Sequence, residues 1–357
     1  MKRLLVYSLV WATALLATGQ TVVTQYVPGI TAEGVTYYLP RTELVVTLQA
    51  KRVTKKPGDF KEYAARYLRV DDAVQEETTE WSLEGVWITP VGVPDKDKVY
   101  SVVLNKKTVA PLVELTSDGI ILSINTQGEK EEADFPELVN ETTNDRLNSR
   151  EYLTEEILSA GNRQKMAELC CEEIYDLREN RNLLIKGQAD FQPGDGKQLE
   201  LMLAELETQE RALLQLFTGT TETEVRTIQI VCNPTETVQK EVLFRFSKRF
   251  GIVDKDDLSG EPVYVDIVDL ETVPERAETA EGKLSRDLQD AVRYNVPGNA
   301  AIEIYDGSKT YATLQTPLAQ FGETEVLSTS LFNKRYTTRV TFSSTTGALK
   351  RLTDVAQ

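Results

Sequence analysis

Runs of β-branched and aromatic residues, separated by turn residues, predict strands in two stretches of the chain. In the first stretch, residues 20–147, Pro, Gly, Asn or Asp lies between the runs, as is usual between strands. In the second stretch, residues 220–357, Asp306-Gly307 separates two such runs and predicts a β-hairpin. The predicted strands are 35–39, 44–48, 86–93, 100–104, 119–124, 225–231, 238–246, 263–268, 300–305, 310–314 and 338–342.

A short segment inside the first stretch has helical rather than strand periodicity. Phe60, Tyr63, Ala64 and Tyr67 recur at helical spacing after Asp59, which is a suitable N-cap residue. We therefore expect a short helix that lies on a sheet. Further along, residues 128–148 are acidic and contain few apolar positions, which predicts an exposed connection.

The hydrophobic period changes to that of helices between residues 148 and 219. Two amphipathic helices are predicted, and they end before Gly187 and Gly219. Pro193-Gly194 predicts a turn between them, and Asp195 can cap the second helix, with Gln198 three residues later. A short connection makes the two helices antiparallel neighbours, so the segment predicts a helical hairpin. The apolar stripes contain Met166, Leu169, Cys170, Ile174 and Leu177 in the first helix and Leu199, Met202, Leu203, Leu206, Leu213, Leu216 and Phe217 in the second.

These elements predict an α+β fold that is predominantly β. We expect antiparallel β-sandwich-like domains with a long two-helix hairpin between them. The predicted divisions are a signal peptide (1–19), an N-terminal β-rich domain (20–147), the helical hairpin (148–219) and a C-terminal β-rich domain (220–357).

The first residues have the three-part pattern of a secretory signal. Lys2 and Arg3 precede an apolar run over 4–16, and small residues follow up to Gly19. The run is too short for a membrane-spanning helix, which needs roughly 20 apolar residues. We therefore expect cleavage near Gly19-Gln20 and a periplasmic or extracellular protein. No Cys lies near that site to accept a lipid, and we expect no direct membrane insertion after cleavage.

The charge of the chain argues against partners that are themselves anionic. The formal net charge is −16, and loss of Lys2 and Arg3 with the signal would make it −18. Such a protein is repelled by nucleic acid and by anionic lipid, so we expect neither as a partner.

Composition also removes several kinds of catalytic and cofactor site. The sequence contains 0 His, which excludes Ser-His-Asp and Cys-His nucleophile systems and histidine-based zinc sites. It has no phosphate-binding or dinucleotide-binding glycine motif. We therefore predict no catalytic residues, no metal site, no cofactor and no enzymatic activity. The 3 Cys are not spaced as a redox motif; Cys170 is expected in a helix core, and a disulfide from Cys170 or Cys171 to Cys232 stays open.

Two surfaces are candidates for binding. The wide apolar stripes of the hairpin imply a third packing surface, which either lies within the chain or belongs to a partner, including another copy. The charged residues that would surround such a contact are Arg163, Arg178, Arg181, Glu205 and Arg211. The second candidate is an aromatic surface at Trp81 and Trp87 for a sugar or peptide, although aromatic residues of a sheet more commonly fill its core.

Several runs resemble a family of secreted Bacteroidota proteins known as domain of unknown function 4831. The runs are LTEEILSAG at 153–161, KMAE at 165–168, IYDLRE at 174–179, LLQLFTG at 213–219, PLAQFG at 317–322 and TGALK at 346–350. The resemblance implies a Gram-negative envelope protein with a β-rich body and a helical hairpin. It implies no activity and no catalytic residues.

The sequence thus favours a non-enzymatic envelope protein that acts through protein–protein contacts at its hairpin. One alternative is a carbohydrate- or peptide-binding module that uses exposed aromatic side chains. The other is a histidine-free hydrolase that uses two carboxylates, which would have to face each other across a cleft.

Overall fold

A computed structural model describes residues 22–25, 35–103, 112–191, 193–273, 291–327 and 336–356. The predicted signal peptide, residues 1–19, and its cleavage site lie outside the described residues.

The described strands form three antiparallel sheets, and the predicted predominantly β, α+β class is confirmed. The first sheet has the order β1-β3-β2-β7-β6, the second β12-β11-β10-β8-β9 and the third β14-β13-β5-β4. The strands are β1 (Val22–Gln25), β2 (Val35–Lys56), β3 (Thr78–Val103), β4 (Val113–Leu115), β5 (Ile121–Ile124), β6 (Glu141–Asn144), β7 (Thr220–Cys232), β8 (Val238–Ser247), β9 (Gly251–Val253), β10 (Glu261–Asp269), β11 (Val292–Tyr305), β12 (Thr310–Leu327), β13 (Tyr336–Phe342) and β14 (Leu349–Ala356).

Strands β2 and β3 are longer than the sequence pattern predicts. The sequence predicts that Pro40 separates strands 35–39 and 44–48, but Pro40 lies inside β2 opposite Pro94 of β3. The pairing register shifts between Tyr38 and Pro40. A proline is tolerated at such an irregularity because the ladder does not need its missing N–H there. The two predicted strands are therefore one.

The first two sheets pack face to face and enclose the main hydrophobic core. Alternate residues of β2, among them Leu44, Val46 and Leu48, are buried against Phe244 of β8 and Ile302 of β11. This alternation buries one face of β2 in the core of a β-sandwich. The third sheet contributes to a second core around Tyr37, Leu39, Tyr100, Ile121, Ile124, Val292, Val340 and Phe342.

Strands from both β-rich stretches of the sequence share sheets. β7, which follows the helices in the chain, pairs with β2 from Leu44↔Cys232 to Lys56↔Thr220. In the third sheet β13 pairs with β5. The two predicted β-rich domains are thus joined by strand pairing, and the three sheets together are called the β-body below.

The predicted helical hairpin is confirmed. Its helices are α2 (Arg163–Lys186) and α3 (Gly196–Thr218), and a short helix, α1 (Glu155–Leu158), precedes them. The Asp195 carboxylate accepts a hydrogen bond from the Gln198 N–H at 2.8 Å, and the Gln198 side chain accepts one from the Gly194 N–H at 2.7 Å. Asp195 therefore caps α3 as predicted, while the Gln198 side chain binds the N–H of Gly194, one residue before the cap. α2 ends at Gly187, whose φ of 66° favours glycine.

The segment 59–68 packs on the helices rather than on a sheet, so its predicted location is wrong. It forms a 3₁₀ turn, Lys61–Tyr63, and a π-helical turn, Ala64–Leu68, and Asp59 does not cap it. The Phe60 ring lies 5.4 Å from that of Phe217 in α3, centroid to centroid. Periodicity shows that a segment has an apolar face, but it does not show which element that face meets.

The hairpin is inserted between two neighbouring strands of the first sheet. β6 precedes the helices, β7 follows them, and the two strands pair from Glu141↔Val225 to Asn144↔Glu222. The stretch before β6 is mostly exposed, as predicted, but residues 141–144 form a strand because β7 offers its edge. Both ends of the hairpin are therefore fixed to the β-body at adjacent points.

Candidate functional site

The base of the hairpin, residues 163–178 and 207–218, is packed within the chain. Its buried side chains meet Phe60, Ala64, Leu68 and Ala73 in a third core. The Gln215 side chain also binds the entering chain, since it accepts from the Leu147 N–H at 2.8 Å and donates to the Asp145 carbonyl at 2.5 Å. The base therefore has its third packing surface inside the molecule. Its buried helical residues are Ala167, Cys170, Cys171, Ile174, Leu177, Ala212, Leu213 and Phe217.

A charged cluster joins the two helices at the outer end of the base. The Glu210 carboxylate on α3 is buried and accepts from Arg178 Nε at 2.6 Å and from Arg181 Nη1 at 2.8 Å, both on α2. Two guanidinium groups thus satisfy both oxygens of a buried carboxylate, as burial of a charge requires. This cluster fixes α2 and α3 to each other at the point where the packed base ends.

The outer half of the hairpin, residues 179–206, is different in character. Of its described residues only Leu184 is buried. Apolar side chains nevertheless lie at its surface: Phe191 is 60% exposed and Leu201 is 71% exposed. They border a groove of about 620 Å³, here called the hairpin groove, lined by Asn180, Leu183, Leu184, Gln188, Ala189, Asp190, Phe191, Leu201, Met202, Glu205 and Leu206.

The hairpin groove is apolar with acidic groups at its border. Its lining includes two carboxylates, Asp190 and Glu205, and no Lys or Arg among the described lining residues. Arg181 lies one residue from the lining residue Asn180, but it is paired with Glu210. A ligand in this groove would therefore meet apolar carbon and negative charge.

The five charged residues predicted for the hairpin surface have different environments. Arg163 donates a hydrogen bond to the carbonyl of Asp59 at the base. Arg178 and Arg181 are engaged with Glu210. Glu205 lines the hairpin groove, and Arg211 is exposed on α3. Only Glu205 of this set lies at the hairpin groove.

The apolar residues of the hairpin groove include two that the sequence reasoning missed. Phe191 belongs to the connection between the helices, where a large aromatic residue has no role in a turn. Leu201 lies in α3 outside the predicted apolar stripe. An aromatic residue in a polar turn and a leucine on a polar helix face were the available signals, because both are unexpected in exposed positions.

Trp81 and Trp87 do not form a shared aromatic surface, and they do not fill the core either. Trp81 lies opposite Arg52 of β2, and Trp87 lies opposite Thr47. Arg52 and Thr47 are an odd number of residues apart in β2, so their side chains, and with them the two indoles, are on opposite faces of the first sheet. A β-bulge causes the change of face: Gln49 pairs with Gly85 and Ala50 with Leu83, which leaves Glu84 as an extra residue in β3. The core location preferred from the sequence is therefore wrong.

The surroundings of each indole explain its position. The guanidinium groups of Arg52 and Arg226 lie 5.8 and 5.4 Å from the Trp81 ring centroid, and Glu224 forms ion pairs with both arginines. Trp81 is therefore held by cation–π contacts. Trp87 is 40% exposed, and its ring covers Gly85, where a Cβ atom would lie 2.0 Å from the ring.

A carboxylate of the acidic connection, Glu131, is a structural anchor of the β-body. Glu131 accepts from the Ser343 hydroxyl at 2.6 Å, the Lys350 ammonium at 2.9 Å and the Thr345 N–H at 3.1 Å. Burial raises the pKa of Glu131, but these hydrogen bonds outweigh burial and lower the pKa from 4.5 to about 2. Glu131 is therefore a fixed anion rather than a proton donor near neutral pH.

The cysteines are unpaired in the structure. Cys170, Cys171 and Cys232 are free thiols, and Cys170 lies in the core of the hairpin base, as predicted. Burial raises the pKa of the Cys170 thiol to about 12. A protonated, buried thiol is a weak nucleophile. Among the described residues no group of three or more Cys, Asp or Glu side chains is arranged to hold a metal ion.

Fold and site together define an α+β protein whose β-body carries a long helical hairpin with an exposed apolar groove. The chain belongs to the family described as Domain of unknown function (DUF4831), whose model matches residues 33–350. No curated protein and no solved structure matches it. None of the helices in the described ranges is long and apolar enough to cross a membrane.

Proposed function

We propose that the protein binds another protein through the outer half of its hairpin and has no enzymatic activity. One observation carries the proposal: the outer half exposes apolar side chains around a groove, although the apolar stripe in the base of the same two helices is buried within the chain. Exposed apolar patches on folded proteins commonly mark contact sites.

The structure around the hairpin supports a role in presenting this surface. The Glu210 cluster joins the helices, and β6 and β7 fix both chain ends to the first sheet. Rigid support lowers the entropic cost of binding, because less of the surface has to be ordered on contact. The described lining of the hairpin groove belongs entirely to the hairpin, so the groove is carried by helices that are supported at their base.

The alternative functions have less support from the geometry. A sugar-binding row would need indoles on one surface, whereas Trp81 and Trp87 face opposite sides of a sheet. A carboxylate-based hydrolase would need a carboxyl group with a raised pKa as its acid. Glu131 has the opposite shift, and its oxygens are already occupied.

The proposed site of action is the envelope or the exterior of a Gram-negative cell. The proposal depends on the basic start, apolar run and small residues of 1–19 and on the absence of an acceptor Cys near Gly19. The runs that resemble the secreted Bacteroidota family support the same compartment.

The test shortens the hairpin instead of removing it. Deleting all of residues 163–218 would expose Phe60, Ala64 and Leu68, which the base covers. We would instead replace residues 184–203 with a short Gly-Ser linker and keep Arg178, Arg181 and Glu210. Full-length and shortened chains are expressed in the native host, cross-linked, and recovered from the envelope fraction.

We expect a cross-linked complex with the intact chain and its loss with the shortened chain, while circular dichroism shows a folded β-body in both. N-terminal sequencing should find Gln20 as the first residue. A complex that survives shortening would refute the contact proposal. Recovery of the uncleaved chain from the cytosol would refute the proposed compartment.

A further inference from the structure

We propose that the hairpin groove binds an amphipathic helix with basic flanks, supplied by a different protein. The inference rests on the proposed function and specifies the chemistry of the partner. Its evidence is the shape of the groove, the nature of its lining and the sign of its charges.

The shape fits a helix. The groove lies along two antiparallel helices, with Asn180 to Leu184 on one side and Leu201 to Leu206 on the other. The part of α3 that precedes the base extends about 15 Å, or about three turns. A third helix of similar length can lie in this groove and complete a three-helix arrangement, which is a common mode of peptide recognition.

The lining fits the apolar face of such a helix. Leu183, Leu184 and Leu206 form the inner surface, while Phe191 and Leu201 border it. Met202 adds an unbranched side chain that can adapt to different apolar residues. Apolar residues at positions i, i+3, i+4 and i+7 of the partner would face this surface.

The charges select the flanks of the helix and argue against a second copy. Glu205 and Asp190 border the groove, and no described lining residue is basic. Lys or Arg on the partner would meet these carboxylates. A second copy would bring the same two carboxylates and the same negative net charge to the contact, so like charges would oppose self-association.

The experiment uses the mature full chain and two fluorescein-labelled model peptides. Both peptides have Leu at positions i, i+3, i+4 and i+7 over about four helical turns. One carries Lys at the flanking positions and the other Glu, and anisotropy measures their binding at low and high NaCl. We expect the Lys peptide to bind at least about tenfold more tightly than the Glu peptide, and more weakly as salt rises.

Three substitutions locate the binding surface. Leu201→Ser should weaken binding of the Lys peptide by about tenfold, because Leu201 would be buried by the peptide. Glu205→Lys should reduce or reverse the preference for Lys over Glu. Ile185→Ser is the matched control, because Ile185 is 62% exposed on the same outer half but does not line the groove. Circular dichroism should show the three variants to be folded.

Several results would overturn the inference. Equal binding of both peptides, or an effect of Ile185→Ser on binding as large as that of Leu201→Ser, would contradict the proposed charge preference or the proposed surface. Leu201-dependent binding to phosphatidylglycerol vesicles would point to a lipid surface instead of a helix. A dimer in light scattering that Leu201→Ser dissociates would point to a second copy of the chain. If peptide binding shows no charge preference while shortening still abolishes the native complex, the inference fails and the proposed function stands. If the native complex survives shortening, the proposed function fails independently of the peptides.

Discussion

Glu131 shows how a single side chain fixes an exposed part of the chain. It lies in a stretch without regular structure, yet its carboxylate accepts from Ser343, Thr345 and Lys350 in and after the β13–β14 turn. Its N–H donates to the Ser344 hydroxyl at 2.9 Å. The sequence predicts the acidic, exposed character of the stretch, but it cannot predict this anchor, because the partners lie more than 200 residues away in the chain.

The anchor predicts a pH-dependent contribution to stability. The folded-state pKa of Glu131 is about 2, below its ordinary 4.5, so its contribution is present above pH 4.5 and is lost as pH falls towards 2. Glu131→Gln should therefore lower the free energy of unfolding at pH 6, and the difference from the native chain should shrink towards pH 2. Urea unfolding at several pH values measures it.

The exposed neighbour Glu132 supplies the control, and Glu132→Gln should have little effect on the free energy of unfolding at either pH. A Glu131→Gln effect that stays constant from pH 6 to pH 2 would contradict the assigned role.

The hairpin is the element that the sequence predicts best, and its exposed half is the part that it predicts least. Helix bounds, the Asp195 cap and the Gly187 end follow from short-range patterns, since each depends on residues within a few positions. The difference between base and outer half depends on which helical turns Phe60, Ala64 and Leu68 cover. The contact between segment 59–68 and the helices joins distant parts of the chain, so no local pattern reveals it. For this reason the sequence does not predict that Leu201 and Phe191 are exposed at a groove.

The Glu210 cluster predicts how the two helices hold together. Glu210→Gln should lower the free energy of unfolding by about 1–3 kcal/mol, because two guanidinium groups lose a charged acceptor; their partial exposure to water keeps the loss moderate. Urea unfolding followed at 222 nm measures the change. Arg211→Ala, at the exposed neighbouring position, should change it by less than about 0.5 kcal/mol. Equal effects of both substitutions would mean that the cluster does not join the helices.

At the scale of the whole molecule, strand pairing between distant parts of the chain decides the architecture. Alternation and turn residues predict most of the strands, and β11 and β12 form the predicted hairpin at Asp306-Gly307. Alternation identifies a strand but not its neighbour, so the pairing of β2 with β7 and of β5 with β13 was not predictable. Local signals therefore indicate two β-rich domains, whereas the pairings join them.

This arrangement predicts that residues 20–147 do not fold alone. The fragment keeps Leu44, Val46 and Leu48 but loses Phe244, Val263, Ile267 and Ile302, which cover them. We expect no cooperative thermal transition and rapid proteolysis of the fragment, in contrast to the complete mature chain prepared in the same way. A cooperative transition in the fragment would show that the predicted N-terminal domain is an independent unit.

The direct junction between α3 and β7 has a mechanical consequence. Only Gly219 separates the last residue of α3 from the first of β7, and a Cβ atom there would lie 2.3 Å from the Lys56 carbonyl oxygen. β7 is paired with β2 over 13 residue pairs. Tension applied at the hairpin groove would therefore pass through one tightly packed residue into an interior strand of the first sheet, and the load would be shared by the β2–β7 ladder instead of being absorbed by a flexible tether.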